Sequence, residues 1–412
     1  MTSQRNNPPP AGQLPRRVIA LNTAAFALSF ATWVIFGPSS RAIASELHIS
    51  LASAALLKST PVLVGSISRI PVGIITDRLG ARFMFPALMA VAAAAACAMS
   101  LGTSYGQMFA GGCILGLVGA TFAVGVQSVS SWTPKSKQGT ALGVFGAGNV
   151  GTAITTFGLP LLIAAVGWRS GFRTYGAAMI LMAVTYGAFV RNAPRTGAPR
   201  TFLALVRPLA QSRTWRFGLY YMASFGTFVG MTLVLGDLYI DAYHVKPTTG
   251  GLLVTTFTFS ASLIRIVGGR LADRHGARRI VRVSLLVAGV ALLPACFGPP
   301  MAVTLLLVFV AALGLGTAMG ATMKYVSEYF PDSVGAVGGI IGALGGVGGF
   351  LLPLASNATK TLAGSAFAGF VPTVLLVAIA LAVQVAAIRR QRGADLRPEA
   401  TTIASQPTRV AA

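Results

Sequence analysis

The chain predicts an all-α membrane protein with 12 transmembrane helices in two pseudo-symmetric halves of six. Three observations carry that prediction. Hydrophobic residues make up 54% of its 412 positions and charged residues only 10%, against about 45–50% and 25% in soluble domains. Apolar runs of spanning length, ~20 residues, recur along the chain. Segments of the first half reappear in the second at a constant offset of 196 residues.

The first seventeen residues are polar and Pro-rich, with Arg5, Arg16 and Arg17. No short apolar region ending in a small-residue cleavage site follows, so the first apolar run is read as a retained helix and residues 1–17 as a cytoplasmic tail. Spans are predicted over 18–37, 51–76, 83–103, 108–131, 140–165 and 172–190, the six-helix half at 18–190. Residues 191–216 follow, with six arginines and with Pro194, Pro199 and Pro208, and read as a basic cytoplasmic linker. The second half, 217–388, has spans over 217–240, 250–272, 281–298, 301–323, 336–356 and 367–388. Residues 389–412 form the second cytoplasmic tail.

The net charge of +23 suits topology better than nucleic acid. Of 32 Lys and Arg residues, 24 fall on the side of the termini and six on the other. Cytoplasmic loops carry such an excess, so both termini are placed in the cytoplasm of an inner (plasma) membrane. The lipid bilayer is the expected partner and nucleic acid is not. Cys97, Cys113 and Cys296 lie in apolar runs without metal-ligand spacing and read as small buried hydrophobes. No catalytic constellation, cofactor motif or metal-ligand set is found, which argues against an enzyme.

The repeat is specific. RIPVGIITDRLGAR starts at Arg69 and RIVGGRLADRHGAR at Arg265. Gly73, Asp77, Arg78, Gly80 and Arg82 recur as Gly269, Asp273, Arg274, Gly276 and Arg278. Gly139, Gly143 and Gly146 recur as Gly335, Gly339 and Gly342. Parallel repeats of this kind build one class of transporter, with the substrate near the midplane between halves. The Gly-x-x-x-Asp-Arg-x-Gly-x-Arg pattern resembles the loop motif of the major facilitator superfamily. That resemblance implies a cytoplasmic gate in which Gly73, Asp77, Arg78, Gly269, Asp273 and Arg274 hold the halves together.

Arg69 precedes Asp77 by eight residues, about 12 Å along a helix. With Asp77 at the interface, Arg69 sits near the middle of a core ~30 Å thick. Arg265 and Asp273 repeat the spacing. An intramembrane arginine is costly and marks a functional site. All nine acids fall in loops, tails or helix ends, so neither arginine has a counter-ion at its depth. The pair asks for an anion, and the guanidinium fork suits small planar oxyanions such as nitrate and nitrite. Lys58, near an outer helix end, reads as a snorkelling side chain. Asn22 reads as an interhelical hydrogen-bonding group.

The stretches TALGVFGAGNVGTAI and AVGGIIGALGGVGGFLLP supply Gly143, Gly146, Gly148 and Gly151 in the fifth span and Gly342, Gly345, Gly346 and Gly348 in the eleventh. They resemble the paired glycine signatures of the nitrate/nitrite porter family. That resemblance implies substrate contacts by Arg69, Arg265 and Asn149. It extends to the aromatic segment YYMASFGTFVG, with Tyr221 and Phe225, and to Phe122 in GATFAVG. It implies a nitrate/nitrite transporter working by rocker-type alternating access, functional as a monomer and without a cofactor. The short tails and linker leave assimilation and respiration both open. Exchange of nitrate for nitrite is favoured, because no acid or His sits beside the arginines to carry a proton and an empty carrier must close on two bare charges. Asp237 and Asp241, near the outer end of the seventh span, are the only nearby candidates for that role. Proton-coupled nitrate symport and an organic-anion carrier are the alternatives. A sensor on a transporter scaffold would show an added domain or long loop, and this sequence has neither.

Overall fold

The structure is a computed structural model that describes residues 16–193, 207–331 and 334–395. Residues 1–15 and 396–412 of the predicted tails and 194–206 of the linker, with Arg195 and Arg200, lie outside the described residues. So do Asp332 and Glu399.

Every described secondary-structure element is helical, which in lipid satisfies each backbone polar group within its own segment. Ten segments are long and apolar enough to cross a membrane. One of these, Lys135–Phe189, turns back at Gly167 and makes two. Ala277–Ala295, with Arg278, Arg279 and Arg282 in its first turns, is the twelfth. In chain order the helices are α1 (Arg16–Glu46), α2 (Leu51–Leu79), α3 (Ala81–Met99) and α4 (Tyr105–Trp132). Next come α5 and α6 within Lys135–Phe189, α7 (Ser212–Tyr243) and α8 (Pro247–His275). The last four are α9 (Ala277–Ala295), α10 (Met301–Tyr329), α11 (Val334–Ala363) and α12 (Val371–Asp395).

Most helices outrun their apolar stretches. The α1 segment continues to Glu46 and α12 to Asp395. Ser50 caps α2 by accepting from the Ser53 amide, and Ser104 with Gln107 forms a capping box on α4. The repeat motif has a backbone reason: Gly80 ends α2 at φ +81° and Gly276 ends α8 at φ +82°, a region costly for residues with a Cβ. No loop separates α5 from α6; Gly167 alone, at φ +79°, makes the turn.

The surface inverts the soluble pattern. Phe83, Leu181, Phe189 and Phe297 are exposed, as lipid-facing side chains should be, while many threonines and serines are buried. Cys97 is exposed and Cys113 and Cys296 half-buried, so the expectation of buried cysteines fails: they sit toward the outer face of the bundle, in apolar surroundings that lipid supplies. The halves meet where α2 packs on α11 and α5 on α8. Asn22 does bond between helices, accepting from the Tyr186 hydroxyl at 3.0 Å.

Candidate functional site

Three helix irregularities surround the buried centre. Leu117–Ala120 in α4 and Ala147–Val150 in α5 tighten into 3₁₀ turns, and Met222–Gly226 in α7 widens into a π turn. Such interruptions free backbone groups and re-aim side chains. The first presents the Gly119 carbonyl, the second Asn149 and the third Phe225.

Arg69 and Arg265 are both fully buried. Arg69 donates from Nε to the Gly119 carbonyl at 3.0 Å and from Nη1 to the Gly342 carbonyl of the opposite half. Its Cζ lies 5.3 Å from the Trp33 ring centroid, 5.2 Å from Phe122 and 5.2 Å from Phe225. These aromatic faces stabilise a cation where water is excluded. Arg265 donates from Nη2 to the Tyr221 hydroxyl at 3.2 Å and approaches the Met319 sulfur at 3.8 Å. Neither arginine forms an ion pair with a carboxylate among the described residues. Arg69 Nη2 and Arg265 Nε have no hydrogen-bond partner among the described residues.

The rings between them form a stack. Tyr221 and Phe225 are 5.1 Å apart at 14°, and Phe122 faces Phe225 at 6.3 Å and 16°. Asn149 is fully buried, and both its amide nitrogen and its oxygen lack partners among the described residues. A buried amide left unpaired is expensive.

The glycines lie where helices cross. A Cβ at Gly146 would stand 2.5–2.6 Å from three atoms of the Arg265 guanidinium, so a methyl there requires that side chain to shift. Gly143 backs onto the Arg265 backbone, and Gly148 and Gly151 onto α1. Gly342 faces Phe122 and Arg69, Gly345 faces Tyr221 and Phe225, Gly346 faces Ser66 and Gly348 faces Met222. Arg69, Arg265, Phe122, Tyr221 and Phe225 are thus joined by direct contacts, with Gly143, Gly146, Gly342, Gly345 and Gly346 packed against them, whereas Gly148, Gly151 and Gly348 serve helix crossings beside them.

The gate motif divides. Asp273 accepts from the Gly139 amide at 3.2 Å, the Thr140 amide at 2.7 Å and the Thr140 hydroxyl at 2.8 Å. Its carboxylate also pairs with Lys324 at 3.2 Å. A carboxylate at the start of α5 is placed where the helix dipole favours it, and it ties the halves together. Gly269 abuts Gly139. Arg274 is exposed, and Gly73 is buried beside Ala123 with ordinary room. Asp77 and Arg78 sit at the equivalent end of α2.

Sequence reading passed over several neighbours. Trp33, whose Nε1 donates to the Pro61 carbonyl at 2.7 Å, covers Arg69. Phe26 and Phe145 pack behind Phe122. Lys324 lies beyond the predicted span 301–323, yet it is buried in the last turns of α10. The signal for Trp33 was an indole N–H that needs an acceptor within an apolar run. Thr140 and Met319 carried no signal of their own. Lys58 lines a cavity, and its Nζ lies 3.7 Å from Asp237.

The sequence profile of the Major Facilitator Superfamily matches residues 23–244 and 216–407. A protein named probable nitrate/nitrite antiporter NarK1 from Thermus thermophilus is 37% identical over 82% of this chain and 83% of its own length. The Bacillus subtilis nitrite extrusion protein is 32% identical over 85% of this chain and 89% of its own. Probable nitrate/nitrite transporter NarK2 of Mycobacterium tuberculosis is 34% identical over 90% and 94%. The solved structure of the human organic anion transporter MFSD10 superposes with a TM-score of 0.73 at 18% identity, over 90% of this chain and all of that one. That likeness establishes the fold. The chain is a multi-pass membrane protein, and it belongs to the nitrate/nitrite porter family of the major facilitator superfamily.

Proposed function

We propose that this protein carries nitrate and nitrite across the inner membrane by rocker-type alternating access, with both termini in the cytoplasm, and exchanges one anion for the other. The observation that carries the proposal is the pair Arg69 and Arg265: two fully buried cations, one from each half, with unpartnered guanidinium nitrogens and no carboxylate pairing. The printed names of the relatives support the same substrates.

In this reading Arg69 and Arg265 grip the anion from opposite sides through paired N–H groups. Asn149 and Tyr221 donate further hydrogen bonds, and Phe122 and Phe225 wall a low-dielectric slot matched to a flat ion. The glycines of α5 and α11 let these helices slide as the halves rock. The Asp273 contacts with α5 and Lys324, and the Asp77–Arg78 turn, serve as the cytoplasmic gate. Both arginines lie in one chain, so the monomer is the working unit.

Exchange follows from charge. Closing the halves on two unneutralised arginines is unfavourable, and a bound anion relieves that repulsion. Asp237, one of the two proton-carrier candidates noted in the sequence, is engaged by Arg41 and Lys58, which supports exchange over proton symport.

The test is labelled nitrate uptake into proteoliposomes. Uptake that requires internal nitrite is the expected result. Uptake into empty vesicles driven by external acid would replace exchange with symport. Absence of uptake by folded protein would remove nitrate as substrate. Arg265→Lys keeps the charge and loses the fork; the expected rate is at least about tenfold lower, and a wild-type rate would sink paired recognition.

A further inference from the structure

A second place in the molecule combines cations, hydroxyls and a cavity. It lies at the end of the bundle opposite the Asp273 contacts, among α1, α2, α5, α7 and α8, with a volume of about 200 Å³. Arg41, Lys58 and Asp237 line it, and Thr156 and Thr232 add hydroxyl-bearing side chains. Eleven residues of α2 separate Lys58 from Arg69, so Lys58 stands about 16 Å along the helix from the buried arginine.

Arg41 Nη2 donates to one Asp237 oxygen at 2.8 Å, and Lys58 Nζ lies 3.7 Å from the other. Two cations thus share one carboxylate, and a positive charge is left over. A carboxylate is itself a planar oxyanion with charge spread over its oxygens. In shape and charge Asp237 is a tethered counterpart of nitrate or nitrite. The side chains are 56% exposed for Arg41, 40% for Asp237 and 19% for Lys58. An ion pair this open to water is weak and readily exchanged for a free ion. Arg41 and Asp237 are also 196 residues apart, the repeat offset, so their bond joins equivalent points of α1 and α7 in opposite halves.

We infer that Arg41 and Lys58 form an outer anion subsite. An arriving planar oxyanion displaces the Asp237 carboxylate there before it reaches Arg69 and Arg265. The displacement also releases the tie between α1 and α7, so the outer face opens in response to the ion it admits. This inference rests on the transport reading and orientation proposed above.

The experiment is nitrate/nitrite exchange in right-side-out proteoliposomes, with KM measured separately for external nitrate and internal nitrite. Lys58→Gln leaves the Arg41–Asp237 bond in place and is expected to raise external KM about three- to tenfold, with internal KM within about twofold. Asp237→Asn frees both cations and is expected to lower external KM by about threefold or more. Lys246→Gln removes an exposed cation near the same end but outside the cavity lining and is expected to change neither constant. Arg41→Gln, at an exposed side chain, carries the Lys58→Gln expectation should that variant not fold. An unchanged external KM in the Lys58 and Asp237 variants overturns the subsite alone. An equal rise in Lys246→Gln also overturns it, because a general field would then explain the effect. Wild-type protein that moves no nitrate overturns the transport reading, and the subsite falls with it.

Discussion

The Arg265 guanidinium donates a 3.2 Å hydrogen bond to the Tyr221 hydroxyl. The Tyr221 ring stacks on Phe225 at 5.1 Å, and Phe225 lies 5.2 Å from the Arg69 guanidinium of the other half. A chain of three contacts therefore links the two buried cations, and moving one half displaces the partner of the other.

Tyr221→Phe tests the polar link in that chain. The ring keeps its place beside Phe225, and only the hydroxyl is lost. A hydrogen bond to a charged group contributes ~1.5–3 kcal/mol, so nitrate affinity is expected to fall roughly ten- to a hundredfold. Binding titrations on purified protein would show it, and unchanged affinity would remove the hydroxyl from the site.

Asn149→Leu separates stability from function. The amide's nitrogen and oxygen are buried and unpartnered, at a cost of about 1–3 kcal/mol per unsatisfied group. A leucine of similar size relieves that cost. The variant is expected to melt at or above the wild-type temperature while transport falls at least about tenfold. Lower stability with normal transport would make Asn149 a structural residue.

Gly146→Ala places a methyl 2.5–2.6 Å from the Arg265 guanidinium. The obstructed group is the far end of a flexible side chain, so the helix crossing survives and the fork moves. Folded, monodisperse protein with transport reduced by about an order of magnitude or more is expected, since small misplacements of a binding group are costly. Normal kinetics would mean that Arg265 tolerates the shift.

Asp273→Ala removes an acceptor shared by the Gly139 amide, the Thr140 amide and hydroxyl, and Lys324. Lys324 is left buried without its carboxylate, a destabilising change for the closed cytoplasmic side. Amide hydrogen exchange at residues 138–146 is expected to quicken about tenfold or more, reporting local opening. Protection at the wild-type level would exclude Asp273 as a tie between halves.

Hydropathy and residue order were enough to reveal the twelve-helix plan and the repeat, and to single out Arg69 and Arg265 inside their helices. Those are properties of single helices: apolar length sets a span, helical rise sets depth, and a constant offset reveals duplication. The glycine and aromatic segments could be named from the sequence, and folding brings them together around Arg69 and Arg265. The positions of Trp33 over Arg69, Thr140 under Asp273 and Asp237 between Arg41 and Lys58 were not legible. The Asp273 and Asp237 contacts join opposite halves, across 133 residues for Thr140–Asp273 and 196 for Arg41–Asp237. Even the Trp33 contact depends on how α1 crosses α2. A side chain's partner on another helix depends on crossing angle and rotation, which arise from packing of the whole bundle and leave no periodic trace along the chain.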